Sequence, residues 1–136
     1  MISSKDIVKL RMPYPNVSSD LAVYSHMYIC NEPGADKQLL KIQSFKNKHS
    51  TQGLPVNNYY ELNASDPTNP CKRDSFVDLD KKFSLQQVVI PMTLKANTDL
   101  SETHYTNIIN KITQFNLVSI STDEFLQVNS RCSRSQ

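Results

Sequence analysis

Glycine is scarce: the 136-residue chain has two, Gly34 and Gly53. Loops that cradle phosphates need several, so nucleotide-binding folds of the P-loop and Rossmann kinds are excluded. No run of 18 apolar residues exists, so no membrane-spanning helix is expected. The opening stretch, Met1-Ile2-Ser3-Ser4-Lys5-Asp6, has no apolar segment long enough for a signal peptide, and a cytoplasmic location is expected. The cysteines, Cys30, Cys71 and Cys132, are odd in number and widely spaced. They make neither a disulfide framework nor a zinc-type pair, and buried or idle thiols are expected. No H-E-x-x-H motif and no Ser/His/Asp order of a known hydrolase is present. Neither a metal nor a cofactor is expected.

What is present fits one small domain. The net charge is +2 and the pI about 8.4. That permits nucleic-acid contact without requiring it, since dedicated binders usually exceed a pI of about 9. The basic residues are unevenly placed. Lys37, Lys41, Lys46 and Lys48 fall within twelve residues, with His49 beside them. A solvated hairpin face and a polyanion-binding patch both fit that run.

Residues 6–12 alternate, with Val8, Leu10 and Met12 on one side and Lys9 and Arg11 on the other, as in a half-buried strand. Further strands are expected over 22–30, 38–46, 59–62, 75–79 and 83–90. Residues 31–36 form the turn of a hairpin, and 15–20, 47–58 and 66–70 form loops. The period then changes. Ser101 is a good N-cap, and Tyr105, Ile108, Ile109 and Ile112 form one apolar stripe, predicting a helix over 101–112. A second short helix is expected over 122–129, capped by Thr122 or Asp123. The predicted fold is mainly β with a C-terminal helix, a small barrel or strongly bent sheet covering residues 1–129. Residues 130–136 are expected to be a polar, frayed tail.

Tyr24, His26 and Tyr28 share one face of the second strand by alternation, opposite Ser25, Met27 and Ile29, the expected core face. Two rings flanking a histidine suit RNA: rings stack on bases and an imidazole moves protons near neutral pH. Ser44 ends an apolar face begun by Leu40 and Ile42, where a polar site can begin. Arg73 could clamp a phosphate, or pair with Asp74 or Asp78. Asp78 and Asp80 point the same way, but Lys81 and Lys82 follow, and ordinary ion pairing accounts for them. His49 and His104 have no partner near in sequence and are read as bystanders.

The order of segments resembles the MazF/PemK-like toxins. Asp6-Ile7-Val8-Lys9-Leu10-Arg11-Met12-Pro13 is similar to that family's opening strand, Lys41-Ile42-Gln43-Ser44 to the strand carrying its Thr or Ser, and Lys72-Arg73-Asp74-Ser75-Phe76-Val77 to a later one. The likeness spans roughly residues 5–112. It implies an SH3-like barrel of the MazF/PemK/CcdB type, a homodimer, an antitoxin protein partner, and metal-independent cleavage of single-stranded RNA through its 2′-hydroxyl. Residue by residue it implies catalytic roles for His26, Ser44 and Arg73, with Tyr24, Tyr28, Lys41, Lys46 and Lys48 contacting RNA. The family's arginine on the second strand is absent: Ser25 or His26 stands there. The alternative is a barrel of the same fold that has lost cleavage and binds RNA or protein.

Overall fold

A computed structural model describes residues 2–44 and 58–135. The expected Lys46, Lys48 and His49 lie outside the described residues, as does all but Asn58 of the expected loop 47–58.

The strongest local signal lies in Met27-Tyr28-Ile29-Cys30, a run in which both alternating faces are apolar. A strand of that kind is stable only with both faces covered, as here. Strand β2 (His26–Glu32) pairs antiparallel with β1 (Ile7–Leu10) on one side and β3 (Lys37–Ser44) on the other. The β2–β3 turn contains Gly34 at φ +98°, a conformation that a side chain disfavours. The far edge of β3 is shared. Its end pairs with β5 (Ser75–Asp78), and its start with β6 (Lys81–Leu85). The register shifts between these halves, so β5 and β6 act as one limb kinked at Leu79–Asp80. Strand β4 (Tyr59–Leu62) adds to β5.

Tyr28, Cys30, Val8, Leu39 and Phe83 point to one face, where helix α3 (Thr122–Val128) lays the fully buried Phe125. Ile7, Ile29, Leu40, Ile42 and Val77 point to the other, where helix α2 (Glu102–Lys111) lays the fully buried Ile108. Removing one such side chain from water contributes about 1.5–3 kcal/mol. The molecule is thus a mainly β sheet with helices late in the chain, one on each face.

The predicted helix over 101–112 is α2, and its cap is seen: the Ser101 side chain accepts from His104 N–H at 3.1 Å. The helix over 122–129 is α3, but the cap is Ser121, whose hydroxyl accepts from Glu124 N–H. Several boundaries differ from expectation. Residues 20–23, split between an expected loop and strand, form a single helical turn, α1 (Asp20–Val23), which buries Leu21 and Ala22. The strand over 83–90 divides into β6 and a short β7 (Val88–Val89), with Gln87 at φ 55° between them. β8 (Asn116–Ser119), not anticipated, runs parallel to β6, and a parallel pair requires the intervening crossover that α2 supplies.

Residues 130–135 of the expected frayed tail are joined to the fold. Ser133–Arg134 forms β9 and pairs with β7, Cys132 lies in the core, and Arg134 pairs with Asp123. Among the described residues the sheet pairings do not close: β1, β4 and β8 each have one strand neighbour. The three cysteines are buried and unbridged.

Candidate functional site

An open cleft of about 460 Å³ lies at the end of the sheet where β2 begins and β3 finishes. Met27 and Ile42, partners in register, give it an apolar floor. Lys9 enters from the exposed side of β1, and Lys72 and Arg73 from the loop before β5. His26 and Ser44 also line it, so the three residues with expected catalytic roles border one cavity.

The local geometry explains why Arg73 is available. Ser44 pairs with Ser75 in register, and the Ser75 hydroxyl donates to the Arg73 carbonyl at 2.7 Å, fixing the chain at the cleft's rim. Neither expected carboxylate partner takes Arg73. Asp74 accepts from Ala64 N–H at 2.8 Å, and Asp78 accepts from the Lys81 ammonium at 2.6 Å and from Asp80 N–H at 2.8 Å. Asp80 in turn accepts from Asn58 Nδ2 at 2.8 Å. Ion pairing and turn formation thus account for Asp78 and Asp80. The remaining wall, Ala96–Thr98, is strapped to β1 by Ala96 N–H donating to the Ile7 carbonyl at 2.8 Å.

His26 is half-buried, with Nδ1 3.0 Å from the Tyr24 carbonyl. A carbonyl only accepts, so Nδ1 carries the proton, and in the neutral ring Nε2 is the acceptor. Alternation, however, sets His26 on the Tyr28 side of β2 and Ser44 on the Ile42 side of β3. The two meet at the cleft's edge from opposite faces of the sheet.

The ring and lysine expectations need correction. Tyr24 is 65% exposed and follows α1, next in sequence to the cleft residue Ser25. Tyr28 is fully buried, edge-to-face with Phe83 at 6.0 Å, and unavailable to a base. Its hydroxyl is buried without a hydrogen-bond partner among the described residues, and burial pushes the phenol's pKa upward. The expected core face of β2 is covered, but so is the opposite one. Lys41, directly across from Tyr28, is 4% exposed and does not line the cleft. Burial, reinforced by the charge of Lys81, lowers its pKa to about 8, with Asp78 opposing.

His104 is no bystander. Its Nε2 lies 2.7 Å from Asp66 Oδ2 and its Nδ1 2.8 Å from the Tyr60 hydroxyl. The three side chains join α2, the 63–70 loop and β4. Hydrogen bonds from Thr68, chiefly its side chain, and then from His104 hold the Asp66 pKa at about 2. The partners lie 38 and 44 residues away, which is why no spacing rule marks them.

A second cleft of about 520 Å³ adjoins the first and shares Lys9, Ser25 and Asn97 with it. Its other walls carry Arg11, Lys95 and Arg131. Among the described residues no aspartate or glutamate lines either cavity. The ion pairs formed by Lys5, Lys81 and Arg134 involve no cleft residue, and among the described residues only Lys95 of the cleft cations is paired, with Asp99 at 2.6 Å and Asp6 at 3.9 Å. Among the described residues Lys9, Arg11, Lys72, Arg73 and Arg131 have no ion-pair partner. Exposed, unpaired cations gathered on one surface without counter-charges attract a polyanion. Comparison with protein-family models, curated proteins and solved structures finds no match to this chain.

Proposed function

We propose that this chain binds the backbone of single-stranded RNA in the cleft formed by β1, β2, β3 and the loop before β5. The supporting observation is a cavity lined by Lys9, Lys72 and Arg73, none of them ion-paired among the described residues, with no carboxylate in its walls. Phosphates are met by cations and small polar groups, here Ser25, Ser44 and Asn97. The exposed Tyr24, next in sequence to the cleft residue Ser25, offers a ring on which an unpaired base could stack and a duplex base could not.

A second reading adds cleavage. It draws on His26 at the cleft's edge with Nε2 as acceptor, and on the resemblance to MazF/PemK-like toxins. In it, Nε2 takes the 2′-hydroxyl proton and the 2′-oxygen attacks phosphorus. The 5′-oxygen then leaves with a proton from water, giving a cyclic phosphate. Arg73 neutralises the crowded phosphorane, and Ser44 donates a hydrogen bond to it. Binding stands first because strand alternation opposes His26 and Ser44. The toxin reading also carries a homodimer, an antitoxin partner, a cytoplasmic location and a bent sheet counted as an opened SH3-like barrel.

One experiment separates the readings. The full chain is incubated with single-stranded RNA in EDTA, and both retention and cleavage products are followed. Binding weakened in Lys9→Ala/Arg73→Ala is expected. Cyclic-phosphate ends lost in His26→Ala would establish cleavage, whereas RNA bound and left intact rules it out. Failure to bind RNA at low salt refutes both.

A further inference from the structure

The two clefts are joined, and the joint is built. Lys9, Ser25 and Asn97 line both, so the cavity at β2–β3 continues over β1 into the one bounded by Arg11, Lys95 and Arg131. The far wall comes from residues 128–131, and one side chain holds it in place. Asn129, 8% exposed, accepts from Arg11 N–H at 2.9 Å and donates from Nδ2 to the Arg11 carbonyl at 2.6 Å. The same Nδ2 donates to the Phe125 carbonyl at 2.9 Å, tying the end of α3 into the contact. This two-way clamp grips the residue just past edge strand β1 and holds residues 128–131 against the second cavity, whose lining includes both Arg11 and Arg131. Both arginines are exposed and unpaired among the described residues.

Two adjoining cavities of about 460 and 520 Å³ offer more room than one phosphate fills. We propose that the second cleft is a separate phosphate subsite, so that the ligand is an oligonucleotide running from Arg73, over Lys9, to Arg11 and Arg131, rather than a mononucleotide or a single terminal phosphate. This rests on the reading of the first cleft as an RNA site and extends it. No base-reading group is required: the contacts are cationic, and the path is set by the backbone's charge spacing.

The test measures binding of fluorescent single-stranded RNAs of graded length, from dinucleotide to dodecamer, at several salt concentrations. The proteins are the wild-type chain, Arg11→Ala/Arg131→Ala and Lys111→Ala. Lys111 is an exposed cation on α2 outside both clefts, and its variant is expected to match wild type. For wild type, affinity is expected to climb over several nucleotides before levelling. In the double variant it levels at a shorter length. Its salt slope for long RNA falls by about 1.4, the value for two lost phosphate contacts to a single strand. Arg11→Lys/Arg131→Lys should restore most of the slope, since the charge is what acts. Equal thermal midpoints exclude misfolding as the cause. If wild type binds long RNA but the double variant keeps its slope and length dependence, the second subsite is wrong while the first cleft's reading stands. If wild type binds no RNA, both fall.

Discussion

Replacing Lys41 with methionine should make the protein more stable, by an amount that depends on pH in a defined way. The ammonium group sits on β3 directly across from Tyr28, 4% exposed, with its pKa lowered to about 8 from 10.5. Burial is the largest cause, and repulsion from Lys81 adds to it. A drop of that size corresponds to roughly 3 kcal/mol of penalty on the protonated folded state. The sign follows from linkage. Below pH 8 folded and unfolded chains both hold the proton, and the penalty is fully present. Between about pH 8 and 10.5 the unfolded chain keeps the proton that the folded chain has released, so stability rises with pH. Above that window the penalty is gone. Methionine fills similar volume without charge. Asp78 is not orphaned, because Lys81 and the Asp80 N–H still satisfy it. Urea unfolding at pH 7, 8, 9 and 10 should show Lys41→Met ahead by up to about 3 kcal/mol at pH 7, with the gap closing as pH rises. RNA binding should be unchanged. A variant less stable than wild type at pH 7, a gap that ignores pH, or a large loss of RNA affinity would refute the burial argument and return Lys41 to the binding surface.

The remaining predictions concern other buried or linked groups. Tyr28→Phe removes a buried hydroxyl that has no partner among the described residues, a group that typically costs about 1–3 kcal/mol, so it should be neutral to stabilising in urea unfolding and leave RNA binding intact. Destabilisation by more than about 1 kcal/mol would show that the hydroxyl is satisfied in solution. Asp66, with its pKa held at about 2, stabilises the fold above pH 3.8, and that contribution drains away as pH falls toward 2. Thermal midpoints between pH 5 and 2 should therefore fall more steeply for wild type than for Asp66→Asn. His104→Ala should remove only part of the difference, because Thr68 makes the larger contribution.

Much of the fold is legible in the sequence where a local rule applies. Ser101 and the stripe of Tyr105, Ile108 and Ile112 specify α2 without outside help. The Pro33-Gly34 turn does the same for the β2–β3 hairpin. β2 misleads because alternation assumes one wet face. The run Met27-Tyr28-Ile29-Cys30 is apolar on both, and only the helices packed on each side reveal that Tyr28 is core. β8 carries no such signal: its burial pattern is mostly exposed, with Leu117 51% exposed, and its partner β6 lies beyond a helix. The site divides the same way. Lys9 and Arg11 stand out as the polar side of an alternating strand. The meeting of His26, Ser44 and Arg73 depends on β3–β5 pairing across some thirty residues of sequence, and the arginine pair depends on Asn129 reaching back to β1. Those are long-range contacts that no spacing encodes.

The most direct test of the account is the affinity of the wild-type chain for a long single-stranded RNA as a function of salt. Each cation that meets a phosphate should contribute about −0.7 to the slope of log affinity against log salt, so Lys9, Lys72 and Arg73 alone call for a slope near −2. A slope at least that steep, reduced by about 1.4 in Lys9→Ala/Arg73→Ala, is the expected result. Binding that ignores salt, or a double variant indistinguishable from wild type, would contradict it.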